Sequence, residues 1–533
     1  MNPHAFTRLA GRVLLVLAAM TITAFLASCG SSSSSTAINP VGFSNSSLSG
    51  TYVFSSQGAD AANGYPLAVA GTLVANGTGG ITGGTIDVVD PAFDISPSVP
   101  PSPAAQTIAS GSYAVGSDGR GQASLTTTAY GTYILDFVLI SGSRGLVSEF
   151  DGNGTGSGTI DLQTAVTGVS QLAGPYAFSL GGSDSISSLA PLATVGAFTL
   201  NSSGASTAGI EDFNDAGVVG NESLTGTITT LGTGTGPGQI TLVTSSLPLT
   251  FDFYPIDASH WKLIETDYSK FIAGDVFTQT GSSIPTGAMA FTMQGGITAP
   301  IAVAGFITDN GTTVSGSEDV NDAGTVVTQT TFSGMAGAAG SVGGRVVASL
   351  SGFNPATSVV LYPSGGGTLM LEIDGSNLTV GAGQTQQAGA ALAASQALGF
   401  NLSAVNISGG AGAFYEEDDI AQFTTTSSGF TGAIDINDEG TLSPGQALVG
   451  SYTLASPATN GGSVTTTAAG SQFVSFNFYP VSSGQFLVLE TDGNQIGAGT
   501  FEAQSPTAQV AQSSHMSMMP LVVRPRAAFR RRK

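Results

Sequence analysis

Phe476-Asn477-Phe478-Tyr479-Pro480, followed by Glu490-x-Asp492 and then by Gly499, decides how this chain is built, because the pattern occurs four times. Its counterparts are Leu135-Asp136-Phe137-Val138-Leu139 with Glu149, Asp151 and Gly158, and Phe251-Asp252-Phe253-Tyr254-Pro255 with Glu265, Asp267 and Gly274. Val359-Val360-Leu361-Tyr362-Pro363 with Glu372, Asp374 and Gly381 completes the set. The glycine stands seven residues beyond the Asp each time. Working back from this core, each unit opens on a short apolar strand after a glycine. These are Gly50-Thr51-Tyr52-Val53-Phe54, Gly174-Pro175-Tyr176-Ala177-Phe178, Gly287-Ala288-Met289-Ala290-Phe291 and a decayed Leu398-Gly399-Phe400. The period, about 107 to 124 residues, is too long for a solenoid turn or a propeller blade. Each unit is therefore a domain.

Within a unit, apolar and polar residues alternate and Gly/Asn/Asp/Ser clusters punctuate, as in Phe251-Asp252-Phe253, which places both rings on one face of a strand. The first unit reads as eight strands near 51–57, 67–74, 80–89, 107–115, 121–128, 132–140, 144–150 and 157–163. Short loops between consecutive strands favour antiparallel hairpins. The expected class is all-β: four tandem domains of about 110 residues, each an eight-stranded up-and-down barrel, which leaves no free edge. An immunoglobulin-like sandwich uses similar strands and is the alternative. The expected boundaries are 48–165, 172–280, 284–385 and 395–505, with a leader at 1–28, a Ser-rich tether at 29–47 and a basic tail at 506–533.

Composition limits the function classes. All 35 acidic residues lie between Asp60 and Glu502, where the cations are Arg120, Arg144, Lys262, Lys270 and Arg345; five against 35 leaves that body at −30. Such a charge disfavours nucleic acid as a partner of the folded domains. Six further cations crowd the tail, from Arg524 to Lys533. With one cysteine in the chain, no intrachain disulfide supports the fold.

Two recurring carboxylate groups are candidates for chemistry. Asp-x-Asn-Asp-x-Gly begins at Asp212, Asp319 and Asp435, so Asp212, Asp215, Asp319, Asp322, Asp435 and Asp438 are candidate calcium ligands. The plainer reading is a hairpin turn closed by glycine. The Glu-x-Asp pairs (Glu149/Asp151, Glu265/Asp267, Glu372/Asp374, Glu490/Asp492) have the spacing of a two-carboxylate glycosidase site on one strand face. Their presence in every unit instead favours a structural role at strand ends. Glu416-Glu417-Asp418-Asp419 makes the fourth unit the acidic outlier. His260 is the only histidine within a unit, so no Ser-His-Asp triad or His-rich zinc site is expected. No catalytic residue is assigned.

Leu26-Ala27-Ser28-Cys29, preceded by Arg8, Arg12 and the apolar run from Val13, resembles the lipobox of bacterial lipoproteins. That resemblance implies cleavage before Cys29, acylation of its sulfur, and a bacterial envelope location, the outer membrane in sorting terms because Gly30 rather than Asp follows. The remainder is similar in architecture to exported lipoproteins of tandem β domains without assigned activity. The expectation is a non-enzymatic, lipid-anchored protein binding an extracellular polymer or envelope protein. The alternatives are lipocalin-like carriage of small apolar ligands and a carbohydrate-active enzyme. No cofactor is expected beyond the calcium candidates.

Overall fold

The computed structural model describes residues 42–91, 105–127, 131–185, 187–244, 247–407, 414–468 and 474–506. The lipobox, most of the tether and almost all of the basic tail lie outside them. Barrel 1 is an antiparallel meander from Ser49–Ala59 to Ser157–Leu162, closed where Tyr52 pairs with Leu162. Its eight strands lie within two residues of the positions read from the alternation. Barrels 3 and 4 close in the same way, from Gly287–Gly295 to Thr379–Thr385 and from Ala397–Ile407 to Gln495–Ala503.

Barrel 2, from Gly174–Ser183 to Phe271–Thr278, departs from the expected eight strands. Its fourth strand is broken into Val218–Ser223 and Thr225–Thr230, giving a nine-stranded sheet. The first half pairs with the third strand and the second half with the fifth. Leu224 turns inward at the break, and a single bridge, Ala205 to Thr227, spans the gap.

Each interior is filled by one apolar cluster, that of barrel 2 built around Trp261 with Tyr176 and Phe253 against it. Burying each large side chain contributes roughly 1.5–3 kcal/mol. The abundant glycine has a packing reason here. Gly121 lies directly across from Phe137 and Gly196 across from Phe178, and a Cβ at either would stand 2.5 Å from the ring. The rings lie over the bare backbone. A cavity of about 60 Å³ lies between barrels 1, 3 and 4. That is room for a few waters.

Candidate functional site

The repeated motifs converge on the seams between barrels. Each barrel presents the outer face of its early strands to the late strands of the next. Val53, Ala68, Ala70 and Val89 of barrel 1 meet Tyr254, Ile256, Ile264, Phe271 and Ala273 of barrel 2. Ala193, Val195 and Ala197 of barrel 2 meet Tyr362, Leu369 and Leu371 of barrel 3. Ala290, Ala302 and Ala304 of barrel 3 meet Tyr479, Leu487 and Leu489 of barrel 4. Ile420 of barrel 4 then meets Val138, Ile140 and Leu146 of barrel 1. A head-to-tail contact repeated until it returns to its start makes a ring, and the four barrels form one.

The Asp-x-Asn-Asp-x-Gly motif is a connector in this ring. It ends the third strand and enters a two-residue turn in which both central residues have positive φ: Ala216 and Gly217, Ala323 and Gly324, Glu439 and Gly440. This is the type I′ hairpin geometry suited to strand twist. Each Asn is fully buried and works on both sides. Its Oδ1 accepts the backbone N–H of the turn glycine, at 2.9 Å for Asn214, 3.1 Å for Asn321 and 2.9 Å for Asn437. Its Nδ2 donates into the next barrel: Asn214 to the carbonyls of Glu372 and Asn377, Asn321 to those of Glu490, Asp492 and Gln495, Asn437 to those of Glu149 and Gly154. The Glu-x-Asp turns are thus the sockets for the Asn plugs. Barrel 1 has Val89 at this position, packed in the apolar seam with barrel 2.

The first Asp of each motif faces the same seams. Tyr254 donates its hydroxyl proton to Asp87, Tyr362 to Asp212 and Tyr479 to Asp319. Arg345 also grips Asp212 through two nitrogens. Val138 takes the tyrosine position in barrel 1, and there Arg120 approaches Asp435 at 3.8 Å. On a strand, residues three apart point to opposite faces. Asp212 and Asp215, like Asp319 and Asp322 or Asp435 and Asp438, therefore do not converge on one ion. Among the described residues no cluster of three or more acidic, histidine or cysteine side chains has metal-binding geometry. The contacts the motif makes are those of a turn and of a plug in the neighbouring barrel's socket.

The Glu of each Glu-x-Asp closes the seventh strand and is buried, so the two carboxyls do not share an exposed strand face. Glu149 accepts from the Tyr133 hydroxyl at 2.8 Å, Glu265 from the backbone of Asp267 and Ser269, Glu372 from Asn377, and Glu490 from Ser475. The Asp organises the turn: Asp151, Asp374 and Asp492 accept the N–H two residues on, and Asp267 accepts that of Thr250 and of Ser269. Burial raises the pKa of every one of these Glu residues, to about 10 for Glu265 and about 7 for Glu372, and well above the usual range for Glu149 and Glu490. Hydrogen bonds to the ionised form lower that of Asp267 despite its partial burial. A neutral acid beside an ionised one mimics a glycosidase pair. Each Glu, however, is occluded by its own barrel.

Two groups were missed by the sequence reading. Gln163, Gln279, Gln386 and Gln504 each follow a barrel's last strand and reach across to the next barrel. Their Nε2 atoms donate to the carbonyls of Pro255, Pro363, Pro480 and Leu139 respectively. The signal was present, since each Gln stands five residues after the repeat glycine. The scarce cations were the second. Arg144, 2 % exposed, binds Glu502 of barrel 4 and Asp161 of its own barrel, both near 2.9 Å. Burial pulls its guanidinium toward neutrality, and the two carboxylates outweigh this and hold it charged. In barrel 2, Lys262 and His260 both contact Asp275 at 2.7 Å, and although burial raises that carboxyl's pKa, these neighbours bring it below the ordinary value.

No protein-family model matches the chain, and no curated protein matches it. Among solved structures it is similar to intact Ap-TbpB (N and C lobes), at 9% identity and a TM-score of 0.18, over 89% of this chain and 98% of that one. A similarity that low carries no argument about function.

Proposed function

We propose that this is a non-enzymatic envelope or cell-surface protein, anchored through acylated Cys29, which holds four β-barrels as one rigid ring and binds an extracellular polymer around its outer circumference. One observation supports this above the others. In every barrel the fourth and fifth strands carry, at exposed or half-buried positions, cross-strand pairs of short hydroxyl side chains without charge. They are Ser112 with Ser124 and Ser110 with Thr126 in barrel 1, and Thr227 with Thr241 in barrel 2. Ser333 with Ser351 in barrel 3, and Ser451 with Thr465 and Thr453 with Ser463 in barrel 4, continue the series. On a body so acidic, four equivalent uncharged faces suit a neutral, hydroxyl-rich polymer such as a polysaccharide. Four modest contacts on one rigid frame reinforce one another through effective concentration. The filled interiors and occluded Glu residues weigh against carriage and glycoside hydrolysis.

The test is co-sedimentation of the mature protein with insoluble neutral polysaccharides. Variants carry Glu at Ser112, Thr227, Ser333 and Ser451, singly and together. Avidity predicts a small loss for each single change and a loss of at least about 10²-fold for the quadruple. Equal retention of wild type and quadruple variant, or no retention of either, would sink this reading.

A further inference from the structure

The ring closes between barrel 4 and barrel 1, and this seam differs in material from the other three. Register alignment of the second strands places Asp418, opposite Ser403, where the other barrels have Ala68, Ala193 and Ala302. The facing position on the eighth strand is Ala273 or Val380 in the first two seams and Ser157 here. An alanine contact has thus become an Asp–Ser contact, with Asp418 at 0% exposure. The apolar cluster of this seam holds four residues, against nine between barrels 1 and 2. It is also the seam that no linker bridges, since barrels 1 and 4 stand at opposite ends of the chain.

We propose that this seam is a proton-operated latch, closed while the Asp418 carboxyl is protonated and opening between barrels 4 and 1 when it ionises. The geometry at Ser157 accommodates the protonated form. Ser157 Oγ lies 3.0 Å from the Leu402 carbonyl, which only accepts, and 2.5 Å from Asp418 Oδ1. A hydroxyl has one proton to donate. Both contacts are satisfied together when Ser157 donates to Leu402 and Asp418 donates to Ser157.

Among the described residues, no cation is paired with Asp418. On its own strand lie Glu416, on the same face, and Glu417 and Asp419, on the interior face. The neighbouring third strand adds Asp435 and Asp438, and the last strand adds Glu502. The first strand of barrel 4 carries no charge. From barrel 1 come Tyr133, Asp136, Arg144, Glu149 and Asp161, with Arg120 on the fifth strand. Arg144 is engaged by Asp161 and Glu502, and Arg120 by Asp118 and Asp435. Burial pushes Asp418 up to about 7 and Asp136 to about 8, and takes Glu149 well above its usual range. A carboxyl held at about 7 in the closed seam and near 4 in water favours opening by up to about 10³-fold as pH rises through that interval.

Hydrogen-exchange mass spectrometry on the mature chain from about pH 5 to about pH 9, corrected for intrinsic base-catalysed exchange, tests the latch. As pH rises, protection of Phe414–Thr425 and Ser157–Leu162 should fall before that of the other three seams. Asp418→Asn, neutral at every pH, should hold the seam closed. Loss of protection in all four seams together, no loss at this one, or the same pH profile in Asp418→Asn would overturn the proposal. Should that variant fail to fold, the seam-by-seam order in the wild type decides alone.

Discussion

Replacing Asn321 with Asp separates two readings of the Asp-x-Asn-Asp-x-Gly motif. In a calcium loop, Asp is an equal or better ligand than Asn, so the change would be tolerated or would strengthen metal binding. In the seam, the two protons of Asn321 Nδ2 are shared among three carbonyls of barrel 4, at 3.0, 3.1 and 2.8 Å, from a fully buried position. A carboxylate there cannot donate, and the oxygen that replaces Nδ2 would face acceptors only. Each net hydrogen bond contributes about 0.5–1.5 kcal/mol, and stranding a buried acceptor costs about 1–3 kcal/mol, so truncation to Ala should destabilise by roughly 2–4 kcal/mol. Asp should destabilise more at neutral pH, and the excess over Ala should shrink in acid, where the carboxyl regains one donor. The assay is urea unfolding of wild type, Asn321→Ala and Asn321→Asp, each with and without calcium or chelator. A wild-type midpoint lowered by chelator together with a tolerated Asn321→Asp would refute the plug-and-socket argument.

Tyr479→Phe removes the hydroxyl donated to Asp319 but leaves the Asn477 amide on the same carboxylate, so a loss of about 1–2 kcal/mol in urea unfolding is expected, against near zero for an exposed Tyr. Above about pH 5, stability should decline with rising pH. Glu265, Glu372 and Glu318 have folded pKa values raised to about 10, 7 and 8, so the native state binds protons more tightly than the unfolded chain. Their contribution is complete below about pH 4 and is lost as pH climbs through the folded values; denaturant midpoints that rise between about pH 5 and pH 8 would contradict this. Cys29→Ser should abolish acylation and release the protein from membranes. Retention after salt and carbonate washing, or an intact mass still carrying acyl chains, would count against the anchor.

Much of the architecture was legible locally. Strand alternation in Phe251-Asp252-Phe253, the turn glycines and the four Glu-x-Asp patterns report on a few consecutive residues, and sheet pairing between sequence neighbours preserves that information. The broken strand at Leu224 was not legible, because it depends on which neighbouring strand each half pairs with. The role of Asn321 was hidden for a related reason: its acceptors lie 169 to 174 residues further on. Its other half, the turn closed by Gly324, was readable because both partners sit within four residues.

By itself the sequence determined the repeat, the all-β class and the antiparallel meander of each unit, since these follow from periodicity and short loops. Only the tertiary structure decided that the units form a ring and that Asp418 replaces an alanine at its closure. An outward alanine, a turn Asn and a strand-end Gln each look like ordinary surface residues in one dimension. They gain meaning only when two faces from different barrels bury them together, and that pairing is set by shape and hydrogen bonding across distances no local pattern encodes.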